Sequence, residues 1–109
     1  MEFVISYDMR APALGAPAAE LYAAALDQCA WAADLGFDCV GLGEHHGAED
    51  GYLPSPLVMA AAIAGRTRRI LLRPNALLAP LVDPVKLAED LAVLQNLSGG
   101  RLEVVIGAG

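Results

Sequence analysis

Four short apolar runs punctuate the chain: Phe3 to Ser6, Cys39 to Leu42, Ile70 to Leu72 and Leu102 to Ile106. They begin roughly thirty-odd residues apart, and each gap holds one helical pattern, the signature of βαβ units carrying parallel strands. The runs lack polar alternation, which predicts strands buried on both faces.

The intervening helices have their own signals. From Pro17 to Leu35, Leu21, Ala25, Cys29, Ala32 and Leu35 fall on one face, while Glu20, Asp27 and Asp34 recur on another. Gly36 follows, free to adopt the left-handed conformation that ends a helix. The next two helices open alike. Ser55-Pro56 and Asp83-Pro84 each set an N-cap oxygen before a proline at the first helical position, where its missing N–H costs nothing. Leu87, Leu91 and Leu94 form the third helix's apolar face, and Ser98-Gly99-Gly100 ends it.

Four parallel strands and three helices make an α/β chain that reads as the first half of a (β/α)8 TIM barrel, a fold of ~250 residues, with a partial doubly wound sheet as the alternative. A dinucleotide fold wants a glycine-rich turn after its first strand. Tyr7-Asp8-Met9-Arg10-Ala11-Pro12 offers none, so the barrel is preferred. Residues 1–109 are thus expected to form one partial barrel domain that stops after the fourth strand, at Gly107-Ala108-Gly109, with both sheet edges and an apolar interior left open.

Composition narrows the function classes. With 56% hydrophobic and 18% charged residues, disorder is excluded, and no apolar run approaches the ~18 residues of a membrane span. The net charge of −6 argues against a nucleic-acid surface, which demands clustered cations. The basic cluster Arg66, Arg68 and Arg69 precedes a strand and reads as a solvated turn at the end opposite the strand C-termini. Cys29 and Cys39 lie in a helix and at a strand start and read as buried small residues rather than a metal or redox pair. Met1-Glu2-Phe3-Val4-Ile5 lacks the basic flank of a secretory signal, so a cytoplasmic address is expected.

The chemistry concentrates at Gly43-Glu44-His45-His46, where the second strand opens into a loop. Parallel α/β folds keep their active groups at that end. An imidazole suits proton transfer near neutrality. Adjacent residues leaving a strand point to opposite faces. His45 and His46 are therefore not expected to share a site, and Glu44 is expected to face away from His45, orienting a neighbouring loop or pairing with a cation.

Five segments, in order, carry a resemblance: Glu44-His45-His46; Leu53-Pro54-Ser55-Pro56-Leu57; Pro80 with Asp83-Pro84-Val85-Lys86-Leu87-Ala88-Glu89-Asp90; Leu97-Ser98-Gly99-Gly100-Arg101-Leu102; and Gly107-Ala108-Gly109. Together they resemble the bacterial luciferase-like monooxygenase family. The resemblance implies an eight-stranded barrel that binds reduced flavin mononucleotide (FMN), or in a sister branch a deazaflavin coenzyme, at its strand C-termini. It implies oxidation of a small organic substrate with dioxygen, a flavin reductase as partner, and homo-oligomeric assembly. It assigns acid/base work to His45. It places a bulge with a non-proline cis peptide at Asn75–Ala76 behind the flavin ring, in the stretch Arg73-Pro74-Asn75-Ala76-Leu77 that follows the third strand. Gly107 and Ala108 fall at the cofactor end of the fourth strand, where many flavin-using members carry arginine at the position of Ala108 and the deazaflavin branch more often has glycine-alanine-glycine.

Two further readings stand beside this one: a non-catalytic half-barrel acting by assembly through its unpaired edges, and a β/α barrel of unrelated chemistry.

Overall fold

A computed structural model describes all 109 residues, Met1–Gly109. It contains β1 (Val4–Tyr7), α1 (Ala18–Asp34), β2 (Cys39–Leu42), α2 (Pro56–Arg66), β3 (Leu71–Leu78), a single 3-10 turn (Ala79–Leu81), α3 (Pro84–Ser98) and β4 (Val105–Gly107). All strand pairs are parallel, in the order β1-β2-β3-β4. Because the order never reverses, there is no switch point of the doubly wound kind. Right-handed crossovers then place all three helices on one face.

That face holds the core. Val40, Leu42, Ile70 and Leu72 pack with Ala25, Cys29 and Ala32 of α1 and with Met59, Ala60, Ile63 and Ala64 of α2. The opposite face is the concave one. There Ser6 pairs in register with Gly41, and Gly41 with Arg73. A Cβ added to Gly41 would come within 2.8 Å of the Ser6 hydroxyl, so glycine leaves the room that the Ser6 side chain occupies.

Several expectations need correction. Only β2 is buried along its whole length. Val105 and Ile106 of β4 are exposed, and β1 alternates between exposed and half-buried, because each has one unpaired edge and an open concave face. The concave face is not uniformly apolar. Arg73 reaches across it with Nη2 donating to Glu2 Oε1 at 2.6 Å and to Glu103 Oε2 at 3.0 Å, tying the segment before β1 to the segment before β4. These bonds push the Arg73 guanidinium's pKa up and hold the Glu2 carboxyl below its usual range. The third strand runs on to Leu78, so Arg73 to Leu77 lie within it rather than after it. The fourth starts at Val105, with Leu102 forming an isolated bridge to Leu72.

Helix ends differ from one another. Asp83 accepts from the Val85 and Lys86 N–H groups and Gly99 closes α3 at φ 66°, both as the sequence signals suggest. Ser55 occupies the N-cap of α2, but its side chain makes no capping bond. Leu35 is exposed, so the buried stripe of α1 ends at Ala32.

Arg101 holds the base of the core. Its guanidinium is buried and bonds the carbonyls of Ala64, Thr67 and Ser98 where α2 and α3 end, the Thr67 hydroxyl, and the Ile70 carbonyl just before β3. Arg66 leaves that end outward to pair with Asp27, and Arg68 and Arg69 are exposed, as a solvated turn requires.

Candidate functional site at the strand C-termini

At the C-terminal ends of β1 and β2 lies a cavity of about 570 Å³, lined by Ser6 to Arg10, by Gly41, Leu42 and Gly43, by Tyr52 and Asn75, and by the inner face of α1. Above the glycines at 41 and 43 lie the Ser6 side chain and the Tyr52 ring, in the space a Cβ would otherwise take. Met9 stands beside it, buried, with φ 59°. A bulky residue in the left-handed region is a local strain of the kind that gathers at working sites.

The Glu44-His45-His46 segment splits as alternation requires. Glu44 is buried and accepts from the Leu78 N–H at 2.8 Å through Oε2, while Oε1 meets His46 Nε2 at 2.7 Å. It thereby fastens the end of β3 to the loop after β2, the orienting role expected of it. His45 is exposed and turns the other way, its ring 4.1 Å from that of Tyr52, centroid to centroid. The backbone supports this placement: His45 N–H donates to Leu53 O at 3.0 Å, and Leu53 N–H to Asp8 O at 2.8 Å.

On the far side of the cavity, the β3–β4 register shifts between Asn75 and Leu77, so Ala76 forms a bulge. The Asn75–Ala76 peptide is cis. A proline inside a central strand is tolerated at such irregular places, and Pro74 precedes the bulge directly. Opposite it, a Cβ on Gly107 would lie 3.0 Å from the Ala76 Cβ, so glycine is what lets β4 close on the bulge. The structure thus brings Ala76 and Gly107 together and sets Asn75 in the cavity wall with Tyr52. Ala108 stands exposed just beyond β4.

Sequence reasoning did not single out Arg10 or Tyr52, and gave Gly43 no role of its own within the Gly43-Glu44-His45-His46 run. One signal was available: Arg10 is the sole cation before Arg66 in an acidic chain. Its Nε donates to Asp8 Oδ2 at 3.1 Å, and its guanidinium carbon lies 4.8 Å from the centre of the Tyr52 ring. Deeper in, the Tyr7 hydroxyl donates to Gln28 Oε1, and burial pushes the pKa of Tyr7 and of the neighbouring Cys29 thiol up.

Consecutive parallel strands with helices on one face, and a cavity at their C-terminal ends, define a TIM-type β/α barrel sheet with its site in the usual place. The sequence profile of the luciferase-like monooxygenases matches residues 1–109, and the chain belongs to that family. The oxygenase component of the flavin-dependent trigonelline monooxygenase of Acinetobacter baylyi is 31% identical over 90 residues, covering 83% of this chain and 25% of that protein. Monooxygenase RslO1 from Streptomyces bottropensis superimposes with a TM-score of 0.90 at 39% identity, over 98% of this chain and 33% of its own. The oxygenating constituent of 3,6-diketocamphane monooxygenase from Pseudomonas putida, a type II Baeyer-Villiger enzyme solved with FMN, gives 0.88 at 28% identity, over 100% and 30%. The chain therefore spans about a quarter to a third of the length of these relatives.

Proposed function

We propose that this chain supplies the first four strands of a flavin-dependent monooxygenase site that oxidises a small organic substrate with reduced FMN and dioxygen. The observation that carries the proposal is the junction of the Asn75–Ala76 bulge with Gly107, next to the cavity wall that Asn75 joins. A planar ring needs a wall without protruding side chains, and the small residues Ala76 and Gly107 provide one. Relatives that use flavin, one of them solved with FMN, favour FMN over a deazaflavin.

Reduced FMN, when bound, supplies the electrons for dioxygen. Asn75, Ala76 and Gly107 would form the wall that holds it, with Ala108 following at the end of the fourth strand. His45, exposed at the strand end and turned away from Glu44, gives and takes a proton at an imidazole nitrogen. Because these relatives are three to four times longer, the remaining wall comes from further strands, and the 109-residue chain alone does not turn over. A flavin reductase supplies the reduced cofactor, as the oxygenase-component relative suggests. Assembly into homo-oligomers belongs to the same reading, as does a cytoplasmic address; no helix here is long and apolar enough to cross a membrane.

The test is His45→Ala in a barrel-length protein. Turnover with reduced FMN is expected to fall by ~10²–10⁴-fold, the range for losing a general acid/base, with folding intact. Unchanged turnover with a lowered melting temperature would make His45 a structural residue.

A further inference from the structure

The exposed His45 imidazole needs something to hold it, and its defined ring contact is Tyr52. The two planes meet at 61°, an edge arrangement of the kind aromatic pairs prefer. Tyr52 is in turn placed from three sides. Its N–H donates to Asp50 Oδ1 at 3.3 Å. Its phenol end rests against Gly43, where a Cβ would come within 3.0 Å of the hydroxyl oxygen and 3.3 Å of the ring. Arg10 covers the ring with its guanidinium, a cation–π contact. Asp8 holds Arg10 through both Nε and the backbone N–H, at 3.1 and 3.0 Å. The two loops that carry this set are stitched together by Ala11 N–H to Asp50 O at 2.7 Å and Leu53 N–H to Asp8 O at 2.8 Å.

We propose that Tyr52 is a positioning residue for His45, with its aromatic ring, held by Gly43 and Arg10, fixing where the imidazole stands beside the cavity wall that Tyr52 itself lines. The proposal rests on the acid/base reading of His45 only for its consequence in turnover; the contact itself does not. The ring does the work and the hydroxyl does not, so phenylalanine should replace tyrosine and an aliphatic residue should not. Misplacement of a reacting group by about 1 Å costs on the order of 10²-fold. An exposed imidazole released from its neighbour samples displacements of that size.

Two measurements decide it. In the 109-residue chain, with two histidines in all, carbon-edited NMR resolves both imidazoles, and His45→Ala assigns them. The His45 ring signals are expected to be displaced from those of free histidine in the wild type and in Tyr52→Phe. In Tyr52→Leu they should return to the free position while the amide spectrum elsewhere stays unchanged. Identical His45 signals in wild type and Tyr52→Leu overturn the proposal. Should Tyr52→Leu not fold, cross-relaxation between the Tyr52 and His45 ring protons in the wild type decides, and its absence overturns the proposal equally.

In a barrel-length protein, Tyr52→Leu should lower kcat about 10-fold or more with KM nearly unchanged, and Tyr52→Phe should restore it. An unchanged kcat in Tyr52→Leu refutes the positioning role. A silent His45→Ala with the NMR contact present removes instead the acid/base reading, so the two failures are distinguishable.

Discussion

Arg101 is the residue whose loss should cost this fold most. All three guanidinium nitrogens are engaged: Nε to Ser98 O at 2.6 Å, Nη1 to Thr67 Oγ1 at 2.8 Å and Ile70 O at 3.1 Å, Nη2 to Ala64 O and Thr67 O at 3.1 Å each. No carboxylate is among its partners. The charge is met by carbonyls at the C-terminal ends of α2 and α3, where the helix dipoles are negative. Burial lowers the pKa of the guanidinium from its usual value, yet a group that starts so high stays charged. Arg101→Met keeps much of the apolar stem and strands four buried backbone carbonyls. At about 1 kcal/mol for each unsatisfied acceptor, the loss is ~3–5 kcal/mol. That is a large part of the ~5–15 kcal/mol by which small domains are stable. Arg101→Lys retains the charge but gives up the planar fork, and should lose about 2 kcal/mol. Urea denaturation followed by helical circular dichroism measures both, with Arg69→Met as a surface control expected within ~0.5 kcal/mol of wild type. An Arg101→Met protein within ~1 kcal/mol of wild type would refute the reasoning.

Three further outcomes follow from the same geometry. Asp83→Ala should destabilise by about 1 kcal/mol because its carboxylate caps two N–H groups, whereas Ser55→Ala, at an N-cap without a side-chain bond, should be near neutral by the same denaturation assay. Gly107→Val should disturb the β3–β4 junction by ~1–3 kcal/mol, since its side chain must enter where the Ala76 Cβ already stands, and the amide shifts of Asn75 to Leu78 should move with it. Arg73 holds the Glu2 pKa below the usual 4.5, so the stabilisation from this pair is present above that value and fades as acid carries the pH through the lowered pKa; Glu2→Gln should flatten the stability-versus-pH curve in that window.

The repeat of apolar runs and helical patterns was enough to read four parallel strands, three helices and a barrel order, because every connection is local and the βα rhythm is regular. Strand ends were less legible. Arg73 and Pro74 resemble loop residues, but the charge of Arg73 is met by Glu2 and Glu103 from distant parts of the chain, and Pro74 sits beside a bulge. No pattern along the chain announces either partner. The same holds for Arg101, whose burial no pattern along the chain announces. At the site, alternation predicted the divergence of His45 from Glu44 and His46. Tyr52 and Arg10 were hidden because their roles arise only when the loops after β1 and β2 meet.

FMN is proposed to lie against the Asn75–Ala76 bulge and Gly107, in a site completed by strands beyond the fourth. Fluorescence titration of FMN tests it most directly, run in parallel on the 109-residue chain, a barrel-length protein and the barrel-length Gly107→Val variant. Saturable binding is predicted for the barrel-length protein, with clear weakening in Gly107→Val and no tight binding by the short chain. Equal affinity in all three, or no saturable binding by the barrel-length protein, would contradict it.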